Sequence, residues 1–129
     1  MEATGHNTPL SPDECRLLLR EHSLGRVSWL GSSGIQVLPV SYVFIDNRIV
    51  LRTGAGSMLS QLTRPHVVGF EIDDIDAETQ TGWSVLVQGT SGPGEPMEGR
   101  LTQPWAPGER PVVVSITPSG YSGRAVAAS

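Results

Sequence analysis

Arg52 and Thr53 stand directly before Gly54-Ala55-Gly56-Ser57, and these residue types in this order suit an anion. A guanidinium and a hydroxyl supply donors, glycines let the backbone come close, and a helix starting at Ser57 would offer free N–H groups at its positive end. A phosphate group is the ligand the pattern fits. A tight strand-to-helix turn, with Arg52 paired to a surface carboxylate, explains the same residues without one. The stretch lacks the third glycine of a dinucleotide fingerprint, so alone it names no cofactor.

Other chemistries fare worse. All nine basic residues are Arg and no Lys occurs, which excludes a Schiff-base enzyme, a phosphate-loop lysine and a lysine general base. His6, Cys15, His22 and His66 are scattered, and only Cys15 and His22 share a predicted face, so a metal site is not expected. Asp74, Asp76 and Glu78 resemble the opening of a calcium loop. The sixth position is Thr79 rather than Gly and the twelfth Val85 rather than Glu, which favours a solvated acidic loop. Gly120-Tyr121-Ser122-Gly123 lacks the spacing of a nucleophile elbow. Trp29, Trp83 and Trp105 are many for a chain with two Phe and two Tyr, and core or interface packing explains each.

The chain that must position these residues has 129 of them, 38% hydrophobic and 17% charged, with a net charge of -4. One domain with one core is expected, too apolar for wholesale disorder and too acidic for charge-driven nucleic-acid binding. A single cysteine, no secretory pattern after Met1 and no apolar run longer than Ile35 to Ile45 make a cytoplasmic protein without membrane contact the expectation.

Residues 1–9 carry no hydrophobic period and read as a loose arm, leaving residues 10–129 as a single domain. Ser11-Pro12-Asp13-Glu14 reads as a capped helix start, and Cys15, Leu18, Leu19 and His22 fall on one face until Gly25 ends the helix. From Arg26 the period becomes two: Val27 and Trp29 face one way, Arg26 and Ser28 the other. A strand over Ile35 to Ile45, a hairpin tip at Asp46-Asn47 and a return strand over Arg48 to Thr53 follow. Ser57 caps a short helix that Pro65 ends, and strands are expected at Val67 to Ile72, Trp83 to Gly89 and Pro111 to Pro118. The acidic stretch Asp73 to Glu78 reads as a loop and Ser91 to Gly108 as a long surface connection. Pro39 cannot donate to a central ladder, so its strand needs an edge, a bulge or a ligand beside it. Six strands with two short helices argue for a mainly β fold, a small barrel or sandwich.

In order and spacing, Gly25-Arg26-Val27, the run Val37 to Tyr42, Leu51-Arg52-Thr53 with Gly56-Ser57, and Gly82-Trp83-Ser84-Val85 resemble the pyridoxamine 5'-phosphate oxidase-related flavin-binding split barrels. The similarity runs from about Leu10 to Val126, and the stretches Pro104 to Gly108 and Ile116 to Arg124 resemble small actinobacterial-type members. The resemblance implies a homodimer of six-stranded split β-barrels with FMN, or the deazaflavin F420 in some relatives, in clefts between subunits. It implies that Val37, Leu38, Pro39, Val40, Ser41 and Tyr42 line the isoalloxazine ring, largely through backbone groups. Arg52, Thr53, Gly56, Ser57 and Met58 would face the ribityl phosphate, and Trp83 and Ser84 would reach the ring from the partner subunit. The resemblance implies an FMN-binding oxidoreductase, with an F420-dependent reductase as one alternative; relatives commonly carry Lys where this chain has Met58, which favours the other, a cofactor-free dimeric binding or regulatory module. The basic substrate-phosphate residues of true pyridoxamine phosphate oxidases are missing as well. No side chain stands out as a catalytic acid or base.

Overall fold

The computed structural model describes residues 6–96 and 110–127. The first long element is helix α1, Pro12–Glu21. Its start follows from sequence: the Ser11 hydroxyl accepts from the Glu14 N–H at 3.1 Å while Glu14 accepts from the Ser11 N–H at 2.8 Å, a reciprocal cap. Those bonds hold the exposed Glu14 carboxyl below its usual range. The helix stops at Glu21, three residues short of the expected end, because His22 is already extended.

The strands are β1 (His6–Pro9), β2 (Leu24–Gly31), β3 (Gly34–Ser41), β4 (Val43–Ile45), β5 (Arg48–Thr53), β6 (Val67–Asp76), β7 (Thr81–Pro93) and β8 (Val112–Ala127), with a short 3-10 helix over Met58–Thr63. They form one antiparallel sheet in the order β3-β2-β6-β7-β8-β5-β4, with β1 added to β8. β8 spends Val112 to Ile116 on β5 and Arg124 to Ala127 on β1.

The described residues thus hold eight strands rather than six in the expected mainly β fold. The run from Ile35 to Ile45 breaks at Tyr42, whose N–H turns to the Ser23 carbonyl at 2.9 Å and so leaves the ladder. Part of the expected loose arm, His6 to Pro9, is a strand because β8 offers it a free edge. The expected acidic loop is strand as far as Asp76, Asp73 to Asp76 pairing residue for residue with Thr81 to Ser84, and only the turn beyond it is loop. There Asp76 accepts from the Glu78 and Thr79 N–H groups at 3.0 and 3.3 Å, so the calcium-like carboxylate serves the turn. The nucleophile-like Gly120 to Gly123 lies inside β8, paired with Val85 to Gln88. The expected connection over Ser91 to Gly108 begins inside β7, and from Met97 on, Trp105 included, it lies outside the described residues.

Asp46 and Asn47 both take left-handed conformations, φ 52° and 57°, as a two-residue hairpin of this twist requires. The inner face is the core: Val27, Trp29, Ile49, Leu51, Val68, Phe70, Ile72, Val85, Val87 and Ile116 meet there, with Cys15 and Leu19 sealing one side from α1. Tyr42 ties helix to sheet, its hydroxyl donating to the Leu19 carbonyl at 2.8 Å and its ring meeting Phe70 edge-on. Burial pushes that phenol far above its usual range. No helix among the described residues is long and apolar enough to cross a membrane.

Candidate functional site

The expected phosphate residues sit where β5 ends. Thr53 is almost fully buried, and its hydroxyl lies 2.7 Å from that of Ser57. Ser57 also accepts from the Ser60 N–H at 3.3 Å, as the cap of the 3-10 helix. Gly56 holds φ +76°, a backbone position that disfavours any other residue, and the space beside its Cα is open. Met58 projects from the first helical position, half-exposed. Thr53, Gly56, Ser57 and Met58 therefore form one corner. The expected helix is six residues of 3-10 geometry, so its dipole is slight and the hydroxyls carry the anion chemistry.

Arg52 is only loosely part of this corner. Alternation along β5 turns Ile49, Leu51 and Thr53 inward and Arg48, Val50 and Arg52 the other way, so Arg52 leaves the strand opposite Thr53. The same alternation brings in a residue that sequence reading passed over. Arg48 shares the face of Arg52 and donates to the buried Ser115 hydroxyl at 3.1 Å. Its signal was the i, i+4 spacing of two arginines on one strand.

The expected ring residues lie at the far end of the sheet. Among the described residues β3 pairs only with β2, which resolves the Pro39 problem: the strand is an edge there, and half of its backbone groups face away from the ladder. Val37, Pro39 and Ser41 oppose Ser28, Arg26 and Leu24 and share their outward face. Leu38 and Val40 point into the core, and Tyr42 is buried with its hydroxyl spoken for. Of the six, three present side chains outward and three can offer a ligand only backbone.

Trp83 and Ser84 diverge in the same way. Ser84 faces outward between Asp73 and Arg124 in register. Trp83 packs on His22, ring centroids 4.8 Å apart, yet Trp83 and Ser84 both reach one cleft of about 410 Å³, lined also by Ile75, Asp76, Gln80, Arg124 and Val126. That cleft joins aromatic and aliphatic walls to one guanidinium and one carboxylate, that of Asp76, a lining suited to a flat ring with polar edges.

The outward face also holds a cluster that sequence reading missed. Arg26 Nη1 lies 3.2 Å from both Glu71 Oε1 and Asp73 Oδ2, and these three line a cleft of about 390 Å³ with Ser28 and Val37. Burial, then hydrogen bonding to and repulsion by Asp73, push the Glu71 carboxyl up to about 7, against the pull of Arg26. Alternation of Glu71 with Asp73 would have revealed the pair, but reading Asp73 as loop hid it.

Known proteins give this geometry a context. The sequence profile of the pyridoxamine 5'-phosphate oxidase family matches residues 11–125. Over 124 residues the chain is 32% identical to the uncharacterized protein Rv0080 of Mycobacterium tuberculosis, covering 88% of this chain and 82% of that one. Its fold is similar to that of the FAD binding protein from Mycobacterium smegmatis, with TM-score 0.76, 27% identity and 92% and 97% of the two chains covered. A FAD-binding protein from Mesorhizobium loti, at 19% identity and TM-score 0.74 over 95% and 98% of the chains, shares the fold.

Proposed function

We propose, for a chain that belongs to the pyridoxamine 5'-phosphate oxidase family, that it binds a flavin between two copies of itself and acts as an oxidoreductase. The observation that carries this reading is the close likeness, over nearly the whole of both chains, to a FAD binding protein at 27% identity. FMN and FAD share an isoalloxazine ring on a ribityl phosphate, and the donor set here suits both parts. The hydroxyls of Thr53 and Ser57 would hold phosphate, Arg52 would add its charge from the other face of the strand end, and the backbone edge of Val37 to Ser41 would line the ring. Trp83 and Ser84 of the other copy would cover the rim. When bound, the flavin supplies hydride transfer; the protein supplies position, a dry wall and charge.

A second reading, a cofactor-free dimeric binding module, draws on Met58, a half-exposed apolar side chain at the phosphate corner in place of a basic one. A charge-assisted phosphate contact is worth about 1.5–3 kcal/mol. Arg52 and the hydroxyl pair must make good that difference if flavin is to stay bound.

The test is the visible spectrum of the purified full chain, followed by titration with FMN, FAD and F420. A retained or saturable oxidised flavin supports the proposal. Tight retention of F420 alone moves the protein to deazaflavin chemistry, and indifference to all three leaves the binding module.

A further inference from the structure

The end of the β6-β7 hairpin carries a slot that neither the phosphate corner nor the β3 edge uses. In register, Ile75, Gly82, Val126 and Asn7 cross four strands in one outward row. Ile75 and Val126 stand on either side of Gly82 at 67% and 41% exposure. A Cβ at Gly82 would lie 2.6 Å from the Asp74 carbonyl oxygen, so the floor between them stays bare. Two apolar walls therefore flank a strip of backbone, and with Trp83 they line the cleft of about 410 Å³. The neighbouring row is Asp73-Ser84-Arg124, which sets a guanidinium at one end of the slot, past the small Ser84. Asp73 is taken up by Arg26 at 3.2 Å. Arg124, two strands away and exposed, has no ion pair among the described residues. A turn closes the other end: Asp76 accepts there from the Glu78 and Thr79 N–H groups, and the Thr79 and Thr81 hydroxyls lie 2.7 Å apart. Gln80 holds φ +56° in that turn, a left-handed conformation that glycine or asparagine adopts at less cost. Strain of this kind collects at ligand sites, and Gln80 lines the cleft.

We propose that this slot binds a small aromatic carboxylate, with the carboxylate on Arg124 and a hydrogen-bond donor on the opposite edge of the ring. The inference goes beyond the flavin reading, in which Trp83 and Ser84 meet only the rim of the isoalloxazine, and it needs a single copy of the chain. A guanidinium offers paired N–H donors that match a planar carboxylate, and a flat ring fills the space between Ile75 and Val126. The far edge of the ring meets acceptors, the Gln80 carboxamide oxygen and the Asp76 carboxylate, whose Oδ1 already serves the turn. An O–H or N–H donor is favoured there and a second anion is repelled. The lining holds one positive and one negative side chain, so it complements a ligand that is anionic at one end and donating at the other. A wholly apolar ring or an inorganic anion satisfies half of it.

The experiment is isothermal titration calorimetry of the full chain with para-hydroxybenzoate, para-hydroxybenzamide and benzoate, before and after addition of FMN, with flavin absorbance read on the same samples. Para-hydroxybenzoate is expected to bind saturably, and the uncharged amide roughly ten- to a hundredfold more weakly, as is para-hydroxybenzoate to Arg124→Met. Benzoate, which lacks the donor, is expected to lose about three- to tenfold, and Gln80→Gly to weaken para-hydroxybenzoate by about as much. Glycine suits the backbone at that position, so Gln80→Gly is also expected to unfold at no lower a temperature than wild type, a combination that a purely structural role in the turn would not give. No saturable binding of para-hydroxybenzoate overturns the site, and an amide that binds equally, or unchanged affinity in Arg124→Met, overturns the anionic class. Wild-type affinity in Gln80→Gly together with equal binding of benzoate overturns the donor edge. Binding is expected to persist in the presence of FMN; displacement by FMN hands the slot to the flavin ring and overturns a separate site. A chain that retains flavin and ignores para-hydroxybenzoate sinks this inference and spares the proposed function, and one that binds para-hydroxybenzoate while indifferent to flavin does the reverse.

Discussion

β5 and β3 were both expected to meet the cofactor, yet one is finished by its own chain and the other is not. In β5, Ile49, Val50, Leu51 and Thr53 are buried, so both faces are covered, and the Thr53 hydroxyl already has its partner in Ser57. In β3, Ile35 and Val37 stand in solvent and one edge has no ladder among the described residues. A single copy thus fixes the phosphate corner in advance and leaves the ring side open, awaiting a ligand and a second surface. Preorganisation on one side limits the ordering needed on binding, while openness on the other lets partner and cofactor arrive together.

The largest effect that tests the contrast is on stability. Leu51→Ala empties a site inside a close-packed wall and is expected to cost about 2–5 kcal/mol in urea unfolding. Val37→Ala, at low protein concentration, is expected to stay within about 0.5 kcal/mol of wild type. Similar costs at both positions would mean that β3 is as closed as β5.

Next comes affinity. Arg52→Ala is expected to weaken flavin binding by roughly ten- to a hundredfold, the equivalent of a lost charge-assisted contact, and Met58→Lys to strengthen it. Fluorescence titration reads both, and no change in either variant would remove phosphate from this corner. Ser57→Ala follows at about 1 kcal/mol of stability, because it deprives the Ser60 N–H of its cap and the Thr53 hydroxyl of its partner. Thermal unfolding checks it, and an unchanged midpoint would show that the corner is not held by its own hydroxyls.

How far the sequence could be read follows the same division. Local signals carried: the capping box at Ser11, the Asp46-Asn47 turn and the break set by Gly56 and Ser57 all depend on neighbours in the chain. What was hidden depends on pairing with distant strands. Gly120, Ser122 and Gly123 have poor strand propensity, but β7 holds them in register beyond the bulge at Ser119, and β8 runs to Ala127. Pairing with Ser84 likewise draws Asp73 into β6 and beside Glu71. The corner at Thr53 and Ser57 was legible because it spans five residues. The Arg26 cluster was not, because its members lie 45 and 47 residues apart.

The smallest effect asks whether the open face carries a cost of its own. The Glu71 carboxyl titrates at about 7 in the folded chain against 4.5 for an ordinary glutamate, so between those values the native state holds a proton that the unfolded chain has released. Stability must then fall as pH rises from about 4.5 to about 7 and stay lower above that range. Glu71→Gln keeps the shape and cannot ionise, so its advantage over wild type should be absent below about pH 4.5 and widen to its full value above about pH 7. The site is about one third exposed, so solvent screening keeps that advantage within about 1 kcal/mol. Thermal unfolding of both proteins across this range decides it. A gap that does not change with pH would mean that Glu71 stays ionised throughout, and the outer face would then be as settled in one copy as the corner at Thr53.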